Sequence, residues 1–334
     1  MRKIIVDAMG GDNAPGAVVN GCVDAVKNEK DFIIHLVGNE KKINKILKEC
    51  DYTGNRIKVH NADDVITNND EPAKAVKHKK DSSMVVAFNL LKDIQGDALV
   101  SCGSTGALLA CSVMILKRIK GINRPALGTV IPTKTGTNGT LLLDVGLNAE
   151  CKPINLVQFG ILGKCYMKCL YDIKNPKVGL INIGVEPEKG NDLAKEAYDL
   201  LKTSGLMFMG NVEGNEITSG NADVLVCDGF TGNVVLKTIE GVAGFFIGEL
   251  KEIFFKSLKS KISALLIKDG VKKLKSKVDT EEIGGAPILG VDGLVIKSHG
   301  NSTAKTVENV IIKSFNLAQN DFINNIKKEL DQRR

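Results

Sequence analysis

Several common signatures are missing from this chain of 334 residues. Tryptophan is absent, and no uninterrupted apolar run reaches the length of about 20 residues that a membrane-spanning helix needs. The eight cysteines include no CxxC pair, so their spacing gives little support for a zinc site. Neither GxGxxG after the first apolar run nor GxxxxGK[ST] occurs, which disfavours dinucleotide and Walker-type nucleotide binding. We therefore expect no metal and no nucleotide cofactor.

The first strand pattern begins at the N-terminus, so we expect no signal peptide. Most of the cysteines lie in apolar runs and are expected to be reduced core residues of a cytoplasmic protein. The net charge of +6 is concentrated in residues 251–277, which contain nine lysines and two acids. A local patch of this kind does not favour nucleic acid as a partner of the whole protein.

Glycine is abundant, with 34 residues, and short apolar runs alternate with glycine-rich loops and helical patterns. This alternation predicts an α/β fold with a mostly parallel sheet and helices on both faces. We expect a single domain over 1–334, with a basic amphipathic helical insertion at about 245–278. In such sheets the functional groups gather at the carboxyl ends of the strands.

The loop SCGSTGA from Ser101 joins a strand to a helix and is our first candidate for an anion site. Its glycines admit a ligand close to the backbone, and free N–H groups at a helix start attract an anion. A plain tight turn with a Ser or Thr cap explains the same pattern equally well. Cys102 could serve as a nucleophile, but no activating base is evident in the sequence.

Other loops carry polar groups after a strand. Asp7 and Asp12 flank the Gly pair of DAMGGD, where they could orient a ligand, hold a metal or cap a helix. Asn211 falls in a segment that can equally be a surface turn. His299 is a lone histidine, a type of residue that is more often structural than catalytic.

Ten motifs together resemble one family, the phosphate acyltransferases of bacterial phospholipid synthesis (the PlsX family). They run in order from end to end and are specific jointly, although each is weak alone. The motifs are DAMGGD from Asp7, KKDSSM from Lys79, SCGSTGA from Ser101, NRPAL from Asn123, LLLDVG from Leu141, GLINIG from Gly179, GNVEGN from Gly210, DVLVCDGFTGNVVLK from Asp223, GGAPILGVDG from Gly284 and HGNS from His299.

The resemblance implies a three-layer αβα sandwich like that of isocitrate and isopropylmalate dehydrogenases, which phosphotransacetylases also resemble. It implies a homodimer that transfers an acyl group from acyl-carrier protein to inorganic phosphate, without a cofactor. The resulting acyl-phosphate would feed a glycerol-3-phosphate acyltransferase. Four positions depart from the family pattern, with Asn13 in place of His, Lys77 of Arg, Cys102 of Ala and Asn301 of Ser.

A mechanism suited to these residues needs mainly positioning and charge stabilisation, because phosphate is already a nucleophile near neutral pH. We expect direct transfer without an acyl-enzyme. The candidate catalytic residues are Asp7, Asp12, Lys79, Lys189, Asn211, Asp228, Asn233 and His299, with Lys80 as a further cation. The candidate phosphate-binding residues are Ser101, Gly103, Ser104, Thr105, Gly106 and Arg124.

The basic segment places apolar side chains on one helical face, a pattern typical of attachment to an anionic membrane surface. A dimer interface or docking of the acidic carrier protein would also fit it. The resemblance favours peripheral attachment to the cytoplasmic membrane. The candidate membrane-binding residues are Phe254, Phe255, Leu258, Lys259, Ile262 and Leu265.

Three other functions stay open at this point. An oxidoreductase of the same fold would need a nicotinamide site and metal-binding carboxylates, and neither is visible in the motifs. A phosphotransacetylase-type enzyme would use acyl-CoA as the donor. A membrane-docked scaffold is less favoured, because a scaffold does not need glycine-rich loops at its strand ends.

Overall fold

A computed structural model describes residues 1–29, 31–135, 138–257, 260–261, 263–268, 270–271 and 285–333. One sheet of eleven strands forms its centre, in the order β3-β2-β1-β4-β11-β10-β5-β6-β9-β7-β8. The strands are β1 (Arg2–Asp7), β2 (Phe32–Gly38), β3 (Ile57–Asn61), β4 (Ala98–Ser101), β5 (Ala126–Ile131), β6 (Thr140–Leu143), β7 (Lys177–Ile181), β8 (Met207–Val212), β9 (Val224–Val226), β10 (Ala286–Leu289) and β11 (Val295–Lys297).

The sheet is mostly parallel. Antiparallel pairing occurs where β10 lies between β11 and β5, and where β5 meets β6. The α-helices named below are α1 (Gly16–Asn28), α2 (Glu40–Glu49), α3 (Pro72–His78), α4 (Ser83–Asp93), α5 (Thr105–Cys111), α6 (Pro153–Tyr171), α7 (Asp192–Thr203), α8 (Gly229–Phe255), α9 (Ala304–Gln319) and α10 (Phe322–Asp331).

Helices cover both faces of the sheet. One face packs against α1, α2, α6, α7, α9 and α10 around Phe32, Phe159 and Tyr166, all fully buried. The other packs against α3, α4 and α5 at one end and against α8 at the other. Side chains that alternate along each strand supply both cores, as Ile4 and Ile5 do in β1. The predicted α/β sandwich with a mostly parallel sheet is therefore confirmed.

Helix α8 differs from the others because little of it is buried. Leu236 packs on the sheet, whereas Phe230, Phe245 and Phe246 are each at least 60% exposed. By length and composition alone this helix could cross a bilayer, contrary to our expectation from uninterrupted apolar runs. Its apolar residues are interrupted by glycines and by the charged Lys237 and Glu240, so they form no uninterrupted apolar run. The helix also continues through residue 245, so the predicted insertion begins inside α8.

Candidate functional site

Three neighbouring parallel strands end side by side at the centre of the sheet. In the register of β1, β4 and β11, Asp7 lies beside Ser101, and Ser101 lies beside Lys297. Because parallel strands share a carboxyl edge, the loops that follow them open at the same place. The structure therefore brings together three of the glycine-rich loops that the sequence pointed to.

Asp7 is a buried carboxylate that ties two of these loops. It is 1% exposed and accepts hydrogen bonds from the Ser101 hydroxyl at 2.7 Å and from the Met9 N–H at 3.2 Å. The Ser83 hydroxyl and the Gly10 N–H donate to it as well. Burial raises the pKa of Asp7, and these donors oppose that effect by stabilising the anion. Because both carboxylate oxygens of Asp7 accept hydrogen bonds from the loops, Asp7 holds the loops in place. It is not exposed to a substrate and is not expected to act as a nucleophile.

The loops after β1 and β4 pack backbone against backbone, which requires glycine. A Cβ atom on Gly10 would lie 2.5 Å from the backbone nitrogen of Gly103. A Cβ atom on Gly11, where φ is +99°, would lie 2.8 Å from the carbonyl oxygen of Gly300. The Gly103 N–H donates to the Ser101 hydroxyl oxygen at 3.0 Å. The glycines of DAMGGD are therefore required by loop packing.

The loop after β1 also bonds to the loop after β11. The Asp12 N–H donates to the carbonyl of Gly300 at 2.6 Å. The Asn13 amide donates to the carbonyls of Asn301 at 2.9 Å and Ser302 at 3.2 Å. Asn13 and Asn301 are two of the departures from the family pattern, and they contact each other. In this chain Asn13 therefore acts as a bridge between loops.

A second buried carboxylate, Asp144, shapes the opposite wall of the site. It accepts hydrogen bonds from the N–H groups of Leu127 at 2.9 Å and Asn148 at 2.7 Å. Burial raises its pKa, as at Asp7. The Asn233 amide, on α8, donates to the carbonyl of Val145 at 3.2 Å. Asp144 thus fixes the turn against which Asn233 is held.

A cavity of about 450 Å³ lies between the two walls. Four predicted site residues line it: Gly103, Thr105, Asn233 and His299. Within the described residues, no cluster of three or more His, Cys, Asp or Glu side chains could hold a metal ion. Apolar side chains lie on the side of the cavity formed by β5, the turn after β6, and α8, and they are Leu127, Val145 and Leu236.

Lys297 is a cavity residue that the motif analysis missed. It is the last residue of β11, directly after the buried residues Val295 and Ile296. Burial lowers the pKa of its ammonium group. The sequence does contain a signal for this residue, because Lys297 ends an apolar strand. A lysine at the end of such a strand lies at the same carboxyl edge of the sheet as the glycine-rich loops.

Cys102 lies on the cavity wall but is 3% exposed. Burial raises the pKa of its thiol, although Lys297 and the hydroxyls of Ser298 and Ser302 oppose this effect. A thiol with a raised pKa is protonated near neutral pH and is a poor nucleophile. This state favours the interpretation of Cys102 as a wall residue.

The remaining residues of the predicted phosphate loop have different surroundings. Ser104 precedes α5 but makes no side-chain capping bond to it. Thr105 begins that helix, so the first turn carries N–H groups that no serine cap occupies. Gly106 faces α3, where a Cβ atom would lie 2.7 Å from the Cγ atom of Pro72.

Two predicted cations lie outside this cavity wall. The Lys79 ammonium pairs with Asp70 at 3.0 Å and donates to the carbonyl of Val65 at 2.9 Å. The hydrogen bond that Asp70 accepts from the Thr67 N–H, followed by those from the Lys79 ammonium and the Thr67 hydroxyl, lowers the pKa of Asp70 to about 2. Arg124 is exposed and is not among the residues that line the cavity.

Asp228, Lys189 and Asn211 lie around the ends of β7, β8 and β9. Asp228 caps α8 by accepting from the Thr231 N–H at 2.9 Å, and it lines a separate cavity of about 330 Å³. The Asn211 amide donates to the carbonyl of Glu186 at 2.8 Å, while its own carbonyl oxygen is buried without a partner in the described part of the chain. Lys189 is exposed. The structure does not bring these three residues into the main cavity.

Half of the predicted membrane-binding residues can be placed. Phe254 is half-buried, whereas Phe255 is 61% exposed and Leu265 is 72% exposed. Leu258, Lys259 and Ile262 lie outside the described residues.

Replacing Gly10 with alanine tests the packing of the first two loops. We expect Gly10→Ala to lower the free energy of unfolding by about 1–3 kcal/mol, because the new methyl group must displace the backbone of Gly103. The matched control is Gly16→Ala, since Gly16 lies at the start of α1 with open space around it. Urea denaturation measures both variants. Equal stability of Gly10→Ala and the wild type would contradict the packing argument.

Comparison with known proteins agrees with the resemblance. Residues 2–325 match the model of a family described as fatty acid synthesis protein. The chain is 55% identical over 326 residues to a phosphate acyltransferase of Acetivibrio thermocellus, covering 98% of this chain and 96% of that protein. It is 50% identical to a phosphate acyltransferase of Alkaliphilus oremlandii, again over 326 residues that cover 98% of this chain and 96% of that protein.

Among solved structures, the chain is similar to a phosphotransacetylase from Streptococcus pyogenes, with a TM-score of 0.64 and 15% identity. It is also similar to the EutD phosphotransacetylase from Staphylococcus aureus, with a TM-score of 0.63 and 14% identity. Both alignments cover 95% of this chain and 94% of the other chain. These likenesses establish the fold alone. By its family match and its close relatives, the chain belongs to the phosphate acyltransferase (PlsX) family of fatty acid and phospholipid synthesis.

Proposed function

We propose that this enzyme transfers a fatty acyl group from acyl-carrier protein to inorganic phosphate, giving acyl-phosphate for phospholipid synthesis. Acyl transfer to phosphate follows from the family. The observation that supports the finer statement is a single cavity with two environments. Glycine-rich loops and Lys297 form its polar end. The side formed by β5, the turn after β6 and α8 contributes the apolar Leu127, Val145 and Leu236, which lie among the polar Thr129, Asn233, Lys237 and Glu240. An anion and an acyl chain could meet between them.

In the proposed reaction, a phosphate oxygen attacks the carbonyl carbon of the thioester. The new C–O bond forms, the C–S bond breaks, and the carrier leaves as a thiolate that takes up a proton. Two observations favour direct attack over an acyl-enzyme. The Ser101 hydroxyl is committed to Asp7, and the Cys102 thiol is buried with a raised pKa. Ser101 is 1% exposed and Cys102 is 3% exposed, so neither side chain is open to attack a bulky thioester.

The enzyme then acts by positioning and by stabilising charge. The N–H groups of the loop from Ser101 to Gly106 remain our candidates for phosphate, and Asn233 and His299 our candidates for the oxyanion. Roles for Lys79, Lys189, Asn211, Asp228 and Arg124 remain predictions, and in each case the side chain would have to act from outside the main cavity.

Release of free thiol from palmitoyl-carrier protein tests the reaction. We expect release that depends on phosphate and is matched by an equal amount of hydroxylamine-sensitive acyl-phosphate. Cys102→Ala should retain turnover within about threefold, because no acyl-cysteine is formed. Faster turnover with acyl-CoA would favour a phosphotransacetylase-type donor. Binding of the carrier without any phosphate-dependent release would favour a scaffold, and an acylated cysteine or serine trapped during turnover would exclude direct transfer.

We also propose a homodimer in which α8 carries the interface. Helical spacing places Val234, Gly241, Phe245 and Gly248 on one stripe of α8. Phe245 is 62% exposed and Val234 is 51% exposed, while Gly241 and Gly248 have open space where a second helix could approach closely. An exposed apolar stripe of this kind is typical of an interface.

Phe245→Glu should shift the protein from dimer to monomer in sedimentation velocity, because it buries a charge in the proposed interface. Leu200→Glu is the matched control, since Leu200 is a 41% exposed leucine on α7. A Phe245→Glu variant that sediments like the wild type would contradict an interface on α8.

The cytoplasmic enzyme is further proposed to attach to the membrane surface through the segment after α8. Lys256 and Lys261 are exposed there, close to the exposed Phe255 and Leu265. Basic and apolar side chains together favour an anionic bilayer. Attachment would also place the acyl-phosphate near the glycerol-3-phosphate acyltransferase that is expected to consume it.

Reversing both charges tests attachment. Lys256→Glu combined with Lys261→Glu should weaken binding to phosphatidylglycerol vesicles by at least about tenfold, since each basic residue near such a surface contributes about 1 kcal/mol. The control is Lys195→Glu, on the exposed side of α7. Cosedimentation measures binding, and unchanged binding of the double variant would contradict the membrane role.

A further inference from the structure

Lys297 lies at the polar end of the cavity. It ends β11 beside Ser101, which in turn lies beside Asp7, so these three side chains mark the carboxyl ends of three adjacent strands. Its side chain lines the same cavity as Gly103, Thr105 and His299. An anion bound by the glycine-rich loops would therefore lie next to this lysine.

The hydrogen bonds of Lys297 leave one donor for a ligand. Its ammonium group donates to the carbonyl oxygen of Cys102 at 3.2 Å and to that of Ser298. An ammonium group has three N–H bonds, so one remains after these two carbonyls are satisfied. Both partners are neutral, and they orient the group without neutralising its charge.

No carboxylate within the described residues forms an ion pair with Lys297. Asp7 and Asp12 are near enough to favour its charged form, but the oxygens of Asp7 already accept hydrogen bonds from Ser101, Ser83, Met9 and Gly10. A partly buried cation without an ion-pair partner is costly, and binding an anion removes that cost. Phosphate is such an anion.

The other lysine on the cavity wall differs in each of these respects. Lys237 lies on α8 with its side chain 58% exposed, and its ammonium group pairs with Glu240 at 2.7 Å. Its charge is neutralised within its own helix. Of the lysines that line the cavity in the described part of the chain, Lys297 is therefore the one whose charge is available to a ligand.

We propose that Lys297 is a further phosphate-binding residue, whose remaining N–H donates to an oxygen of the phosphate that attacks the thioester. This assignment rests on the proposed function. The contact would hold the nucleophile at the polar end of the cavity, while the acyl group lies toward Leu127, Val145 and Leu236. Because the contact is made to bound phosphate before the reaction, its loss should raise the KM for phosphate more than it lowers kcat.

The test compares Lys297→Met, Lys297→Arg and Lys237→Met in the full-length enzyme. Lys297→Met should raise the KM for phosphate by at least about tenfold, the effect of losing one charge-assisted hydrogen bond. The KM for palmitoyl-carrier protein should stay within about twofold of the wild-type value. Lys237→Met should change the KM for phosphate at least about fivefold less than Lys297→Met does. An unchanged KM for phosphate in a folded Lys297→Met enzyme would overturn the assignment.

The pH profile gives a second readout that does not depend on Lys297→Met folding. Because burial lowers the pKa of Lys297, raising the pH should deprotonate it earlier than an ordinary lysine and should raise the wild-type KM for phosphate. Lys297→Arg should lack this alkaline rise, since guanidinium stays charged. The same rise in Lys297→Arg would overturn the assignment.

Direct binding separates this inference from the proposed function. Inorganic phosphate should raise the melting temperature of the wild type and should raise that of Lys297→Met less at the same concentration. A wild-type enzyme that binds phosphate through Lys297 but releases no carrier thiol would overturn the proposed donor and keep the phosphate site. An active enzyme whose phosphate-induced shift is unaltered in Lys297→Met would overturn the phosphate site alone.

Discussion

The hydrogen bond between Asp7 and Ser101 is the constraint on which the site depends. It joins the ends of two parallel strands at a buried position, where an unsatisfied carboxylate would cost several kcal/mol. The hydroxyls of Ser83 and Ser101 and the N–H groups of Met9 and Gly10 offset that cost by donating hydrogen bonds to Asp7. They can all reach the carboxylate only when the segments that carry them lie in one arrangement. This arrangement of the loops requires glycine at position 10, because its backbone and that of Gly103 are too close together for a side chain at position 10 to fit between them. The buried carboxylate therefore specifies the loops, and the loops form one wall of the cavity.

Asp144 plays a similar part on the other wall. Both carboxylates directly follow or end a buried strand, both have pKa values raised by burial, and both collect backbone N–H groups from a turn. The cavity between them is therefore bounded by two rigid turns. Helix α8 contributes Asn233 and Leu236 to the cavity, and few of its residues are buried.

The sequence predicted the strand ends well because β-strand patterns and glycine-rich loops are local signals. It did not predict α6, whose residues are buried nearly all round and which therefore has no polar face to reveal a helical period. The C-terminal part of the chain forms two helices, separated at Asn320 and Asp321, where Asp321 adopts a positive φ of 52°. Nor could local patterns indicate that β10 runs antiparallel between β11 and β5, since strand order is set by long-range packing. Lys297 was missed for the same reason, because its importance comes from the strands beside it.

The distribution of charge around the cavity supports the proposed direct attack of phosphate. The carboxylates of Asp7 and Asp144 are buried and accept hydrogen bonds from N–H and hydroxyl donors. These donors offset their negative charge, which would otherwise repel an incoming anion. The cation at Lys297 is held by neutral carbonyls and keeps its charge for the ligand. In the proposed arrangement phosphate would lie at the strand ends and the acyl group on the side of α8, and the cavity would then hold the attacking oxygen close to the thioester carbonyl.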